Sequence, residues 1–99
     1  MKHLTLEGGR IFTEARLKVA GEYRTIQVMI DTGSAKTILN EAITDNPVLD
    51  AFSIGPLKVS DYRAELQPME ADGIIGLDFL SKTGAKLNFD AMTISSSRT

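Results

Sequence analysis

The chain contains no cysteine, no tryptophan and a single histidine, His3, among its 99 residues. Without cysteine, disulfide staples, thiolate zinc sites and cysteine nucleophiles are excluded. One histidine close to an end leaves neither a multi-histidine metal site nor a serine–histidine–aspartate triad to build, so no metal and no cofactor are expected. Cationic excess is missing too. Eleven Lys and Arg stand against 13 Asp and Glu, a net charge of −2, with no local basic cluster, and this argues against a nucleic-acid partner. Long apolar runs are absent: stretches such as Val28-Met29-Ile30 are far too short to cross a bilayer, so no membrane partner is expected for this chain. Residues 1–10 carry basic side chains but no apolar stretch behind them, unlike a secretory signal, and the expected location is cytoplasmic. What remains for catalysis is mostly carboxylate chemistry.

What is present is an ordinary globular composition, 42% hydrophobic and 24% charged. The length suits one domain, residues 1–99, with a modest core. No repeat or low-complexity linker divides it, and residues 95–99 read as a fraying tail. Alternating apolar and polar positions predict strands over residues 3–6, 11–19 and 23–30, with turns at residues 7–10 and 21–22. Val28-Met29-Ile30 is apolar on consecutive positions, the pattern of a strand buried on both faces. A short strand over 36–39 and a helical turn near 40–43 follow, and Asp45-Asn46-Pro47 breaks the chain. Residues 57–66 read as a strand, 77–83 as the one helix, capped by Gly84, and 85–89 and 92–94 as closing strands. The fold class is therefore mostly β with one short helix near the C-terminus. His3, the methionines, Lys82, Lys86 and Arg98 read as surface or filler positions, and Phe79, Leu80 and Leu87 as core.

The informative segment is Asp31-Thr32-Gly33-Ser34. A carboxylate at the end of a doubly buried strand is a costly place for a charge. Burial raises a carboxyl pKa, and a second carboxylate nearby raises one member of the pair further. Two such groups can share a proton, one acting as base on a water while the other donates to a substrate carbonyl. Thr32 and Ser34 supply hydroxyls that can satisfy the carboxylate and the backbone, and Gly33 lets the backbone approach closely.

The run from Val28 through Asp31-Thr32-Gly33-Ser34 to Leu39 resembles the catalytic loop of retropepsins, the single-domain aspartic proteases related to those of retroviruses and retrotransposons. Ala71-Asp72-Gly73-Ile74-Ile75-Gly76-Leu77-Asp78-Phe79-Leu80 is similar to the strand and helix that pack beneath that loop. Thr83-Gly84-Ala85-Lys86-Leu87-Asn88-Phe89 is a weaker match to the closing strand. The resemblance implies a closed, barrel-like β fold, with Asp31 catalytic, Thr32, Gly33, Ser34, Ile74, Ile75 and Gly76 supporting it, and a polypeptide substrate. Only one Asp-Thr-Gly triplet exists, so the second carboxylate has to come from a homodimer, Asp31 against Asp31. Asp72 and Asp78 are rival donors, each with a plain structural reading: a turn residue and a favourable negative charge at a helix start. The family's interleaved termini imply that the terminal strands also take part in the dimer.

Residues 31 and 76 stand closer together than in that pattern, so the middle of the chain is shortened. Either Phe52, Ser53, Ile54, Gly55 and Pro56 form the substrate-covering flap and a later hairpin is lost, or residues 57–66 follow a flap reduced to a stub. The reading is a homodimeric aspartic endopeptidase. The alternative is a catalytically weak or inactive module of the same fold that dimerises or binds peptides, since a site without a lid excludes water poorly.

Overall fold

Alternation of inward and outward residues builds the wall of the fold, which a computed structural model describes over residues 1–98. Strands β1 (Lys2–His3) and β2 (Thr5–Glu7) open the chain, and β3 (Arg10–Val19) and β4 (Glu22–Ile30) form a long antiparallel hairpin in register from Ile11↔Ile30 to Val19↔Glu22. Along β3, Thr13, Ala15, Leu17 and Val19 are buried while Glu14 and Arg16 are exposed, the period-two signature of a half-buried strand. After β5 (Ile38–Asn40) comes a second hairpin, β6 (Val48–Ile54) and β7 (Leu57–Arg63), which lies against β3 with Leu17 opposite Phe52. Gly55 turns this hairpin at φ +55°, a left-handed conformation that glycine takes without strain.

Strands β8 (Glu65–Gln67) and β9 (Gly73–Ile75) complete the large sheet, whose order is β7-β6-β3-β4-β9-β5-β8 with β2 added on β3. It curls into a half-barrel. Strand β9 enters between β4, to which it is parallel, and β5, to which it is antiparallel. The core inside the curl includes Leu17, Leu39, Leu49, Ile54 and Ile75, all fully buried. Phe52 meets Phe79 edge-on, with ring centroids 5.3 Å apart, and stacks on Tyr62 at 6.2 Å. Helix α1 (Leu77–Thr83) ends at Gly84 in the left-handed conformation. A second sheet has the order β1-β11-β10, with β11 (Thr93–Ser96) between β1 and β10 (Ala85–Asn88) and antiparallel to both.

Several expectations need correction. The segment 3–6 is two short strands, broken at Leu4, which is buried and donates its N–H to the Met92 carbonyl at 2.9 Å. The segment 57–66 also divides, at buried Ala64, whose N–H is taken by the Pro47 carbonyl at 3.0 Å. Residues 95–98 are no fraying tail. Ser95 and Ser96 belong to β11, the Ser97 N–H donates to the Gly84 carbonyl at 2.9 Å, and the Arg98 guanidinium donates to the Lys82 and Ser81 carbonyls at the end of α1. Thr99 lies outside the described residues. Within the chain the two ends pair with each other: Lys2 faces Ile94 and His3 faces Thr93.

Candidate active site

The site begins where β4 ends. Val28 and Ile30 are buried, Met29 is half-buried, and the chain then leaves the strand at Asp31, whose N–H donates to the Ile75 carbonyl at 2.9 Å. The turn closes through the Ser34 N–H on the Asp31 carbonyl at 3.1 Å, and the Gly33 N–H donates to Asp31 Oδ1 at 2.9 Å. A half-buried carboxylate is thus held by a backbone donor of its own turn. The Ser34 hydroxyl donates to the Lys36 carbonyl at 2.8 Å, so it braces the loop, and Thr32 is exposed. Beside Asp31 opens a cavity of about 400 Å³, lined by Gly9, Arg10, Ile11, Met29 and Ile30.

Beneath this loop lie Ile74, Ile75 and Gly76, with Ile74 opposite Met29 and Ile75 opposite Ile30. The loop crosses directly over Gly76. A Cβ at residue 76 would collide with the Lys36 carbonyl and come within 2.8 Å of the Ser34 carbonyl oxygen, backbone atoms that cannot swing aside. Only hydrogen fits there. The next two N–H groups also reach up: Leu77 donates to the Ser34 carbonyl at 2.8 Å and Asp78 to the Ala35 carbonyl at 3.2 Å.

Two residues of this floor were missed by the sequence reading, Thr37 and Tyr62. Thr37 is buried; its hydroxyl donates to Asp78 Oδ1 at 2.8 Å and accepts the Gly76 N–H at 3.1 Å. The Thr37 N–H donates to Asp78 Oδ2 at 3.1 Å, the Tyr62 hydroxyl to the same oxygen at 2.8 Å, and the Phe79 N–H to Oδ1 at 2.7 Å. Burial alone would raise the Asp78 pKa, but the donors outweigh it, the Thr37 hydroxyl and N–H foremost and then Tyr62 and Phe79, and hold it below the ordinary carboxylate value. Burial, reinforced by the Asp78 carboxylate, pushes the Tyr62 phenol up to about 12 against the opposing effect of Thr37. A threonine directly before the apolar pair Ile38-Leu39 was the available signal for this network, but its partner stands far along the chain.

The rival carboxylates therefore have their own tasks. Asp78 ties the active loop to α1 and to the aromatic core, and Asp72 accepts the Gln27 N–H from β4 at 3.1 Å. The flap assignment to Phe52, Ser53, Ile54, Gly55 and Pro56 is also corrected. Phe52 and Ile54 are fully buried core residues of the β6–β7 hairpin, and a Cβ at Gly55 would come within 2.7 Å of the Lys2 Cβ, so the hairpin tip abuts β1. Between β5 and β6 lies a short loop, residues 41–47. Local turns hold it: Asn40 Oδ1 accepts from Ala42, Thr44 Oγ1 from Asn46, and Asn46 Oδ1 from Val48, each at 3.0 Å.

No protein-family model and no curated protein sequence matches the chain. Solved structures do. A retropepsin-like aspartic protease from Rickettsia conorii is similar at a TM-score of 0.68 and 14% identity, over 91% of this chain and 84% of that one. The retroviral protease-like domain of Ddi1 from Leishmania major is similar at a TM-score of 0.65 and 12% identity, over 85% of this chain and 84% of that one. The fold is retropepsin-like.

Proposed function

We propose that this chain is an aspartic endopeptidase that works as a homodimer on polypeptide substrates. The observation that carries the reading is the Asp31 turn. It puts a half-buried carboxylate on a braced loop, at the mouth of a cavity whose walls include Ile11 and Met29. One such carboxylate is too few, and a twofold axis beside Asp31 supplies the second.

In that arrangement the two carboxylates share one proton and hold a water between them. The ionised member takes a proton from the water as its oxygen attacks the peptide carbonyl. The protonated member gives its proton to the carbonyl oxygen, leaving a neutral gem-diol. In the collapse the ionised carboxylate takes a hydroxyl proton from the gem-diol, and the other carboxyl gives the proton it took from water to the leaving nitrogen as the C–N bond breaks. Asp78, held as a carboxylate by its donors, keeps the loop anchored in the acidic range where the pair is half-protonated.

The test is cleavage of an unstructured protein between about pH 4 and 6, with and without a hydroxyl-bearing transition-state mimic such as pepstatin. Inhibitor-sensitive cleavage that disappears in Asp31→Asn is the expected result. The loop of residues 41–47 favours a second reading, a peptide-binding or dimerisation module, because it is short and braced mainly by its own turns. Peptide binding without turnover, unchanged by Asp31→Asn, would establish that reading instead.

A further inference from the structure

The outward face of the large sheet gathers cations that the sequence keeps apart. Arg16 and Lys18 alternate with buried Ala15, Leu17 and Val19, so both side chains leave β3 on its outer side. Lys18 stands opposite Tyr23 of β4, whose ring is 59% exposed. That ring holds both cations: the Arg16 guanidinium lies 4.4 Å from its centroid and the Lys18 ammonium 5.2 Å. On the other side of β3, Arg16 is opposite Ser53 of β6, and Ser53 is opposite Lys58 of β7. Lys58 is exposed between buried Leu57 and Val59, so it stands on the same outer face, about 10 Å from Arg16 at two strand spacings.

Carboxylates of the chain do not neutralise this group. The only ion pair among the described residues joins Lys2 to Glu14, which engages the acidic residue next to Arg16 in the outer row of β3. Asp50, near the hairpin end, accepts the Gly21 N–H at 3.3 Å. Like charges drawn to one ring repel each other, and an anion placed between them relieves that repulsion. None of these residues lines the cavity beside Asp31.

We propose that this face is a docking surface for an acidic stretch of another polypeptide, bound extended, with Arg16, Lys18 and Lys58 as its carboxylate contacts. Spacing selects the occupant. Arg16 and Lys18 stand about 7 Å apart along β3, and alternate residues of an extended chain place their carboxylates on one side at that same interval. Arg16 offers a planar fork that matches a carboxylate, and the Ser53 hydroxyl between Arg16 and Lys58 adds a donor. A single nucleic-acid strand binds by stacking its bases on open aromatic faces, and here the Tyr23 ring is already engaged by two cations. Docking here requires no turnover and so stands apart from the function proposed above.

Fluorescence anisotropy with a labelled peptide of alternating glutamate and serine is the test, with the matching lysine–serine peptide and an oligothymidylate of equal charge as controls. The acidic peptide should bind reversibly at low ionic strength and weaken steeply as salt is added, because the contacts are exposed, and the lysine–serine peptide should not bind. Replacing the three cations together (Arg16→Gln, Lys18→Gln, Lys58→Gln) should weaken binding about tenfold or more. Lys86→Gln, an exposed cation of β10, and Asp31→Asn should each leave it unchanged. In the wild-type protein, amide shifts on titration should map to β3, β6 and β7, a check that needs no substitution. Absence of binding at about millimolar peptide in low salt overturns the proposal. So does binding that survives the triple substitution in a folded variant, or that is lost in Asp31→Asn. Tighter binding of the oligothymidylate than of the peptide overturns it too and assigns the face to nucleic acid. Cleavage is judged by its own assay, so neither result decides the other.

Discussion

The floor of the site and the loop of residues 41–47 are built by different means. Beneath Asp31, the loop is held by contacts remote in sequence: Ile75, Gly76, Leu77 and Asp78 all bond to it, and Asp78 is bound in turn by Tyr62 from the aromatic core. On the other side of β5, residues 41–47 are held largely by side chains two positions away. Remote contacts are fewer: the Arg24 guanidinium donates to the Ile43 carbonyl, the Glu41 N–H to the Gln67 carbonyl and the Ala64 N–H to the Pro47 carbonyl, both at 3.0 Å, and Ile43 packs against the core. A loop wired into the core cannot shift without breaking core contacts, while a loop with fewer such contacts opens locally at lower cost. The Asp31 turn is therefore held more firmly than residues 41–47.

The largest effect should come from the carboxylate that the floor supports. Asp31→Asn keeps the shape and the Gly33 N–H acceptor but cannot act as a base, so cleavage should fall by about 10²–10⁴-fold or more with the fold intact. Initial rates and circular dichroism on the same samples separate chemistry from folding. Near-normal, inhibitor-sensitive turnover in this variant rules out Asp31 as the catalytic group.

Next in size is Gly76→Ala. The methyl would overlap the Lys36 and Ser34 backbone, forcing the active loop away from β9. A loss of about 1–3 kcal/mol is expected for overpacking of this kind, with activity reduced because the loop itself moves. Urea unfolding and cleavage measured together are the check. An alanine variant as stable and active as the wild type would mean that the floor is less rigid than its contacts imply.

How much of this could be read from sequence depends on the distance over which each contact acts. The Asp31 turn was legible because a doubly apolar strand runs straight into a carboxylate, a conflict visible within a few residues. Helix α1 and its Gly84 cap were legible for the same local reason. Strand β6 was not. Leu49 and Phe52 both face inward at a spacing of three, which period-two alternation rejects. The slip falls where Asp50 and Asp61 stand between paired neighbours, and Asp61 has φ +49°. Nor could the Thr37–Asp78 contact, or the pairing of β1 with β11, be found by local pattern, because tertiary folding alone brings these segments together.

A comparable loss of stability, with less effect on cleavage, is expected from the wire between floor and core. Tyr62→Phe keeps the ring among Phe52 and Phe79 but removes one donor from Asp78, at a cost of about 1.5–3 kcal/mol for a hydrogen bond to a charged group. The two pKa shifts set the pH limits of the same contact. The Asp78 value is depressed, so its stabilisation is fully present above the ordinary value of 3.8 and is lost as pH falls through the lower folded value. The Tyr62 value is raised, so its contribution is fully present below 10.0 and is lost as pH rises towards about 12. Denaturation across pH should show both limbs in the wild type, and the alkaline limb should shrink in Tyr62→Phe. An unchanged alkaline limb would place its origin elsewhere.

The smallest change in stability should follow from altering the loop of residues 41–47. Doubling the length of a flexible loop costs only about 0.6 kcal/mol in closure entropy, so lengthening residues 41–47 with a glycine-containing hairpin should barely lower the unfolding midpoint. Activity should respond in the opposite direction. If cleavage is limited by poor exclusion of water and weak clamping of the peptide, a longer hairpin on this side of β5 gives the site a lid and raises kcat/KM. The floor would be untouched, because none of the side chains that brace Asp31 and Thr37 comes from residues 41–47. Comparing kcat/KM of several loop lengths against their unfolding midpoints tests the division directly. A steep loss of stability with length would show that the remote contacts of residues 41–47 govern the loop, and flat activity across the series would show that this loop does not limit the reaction.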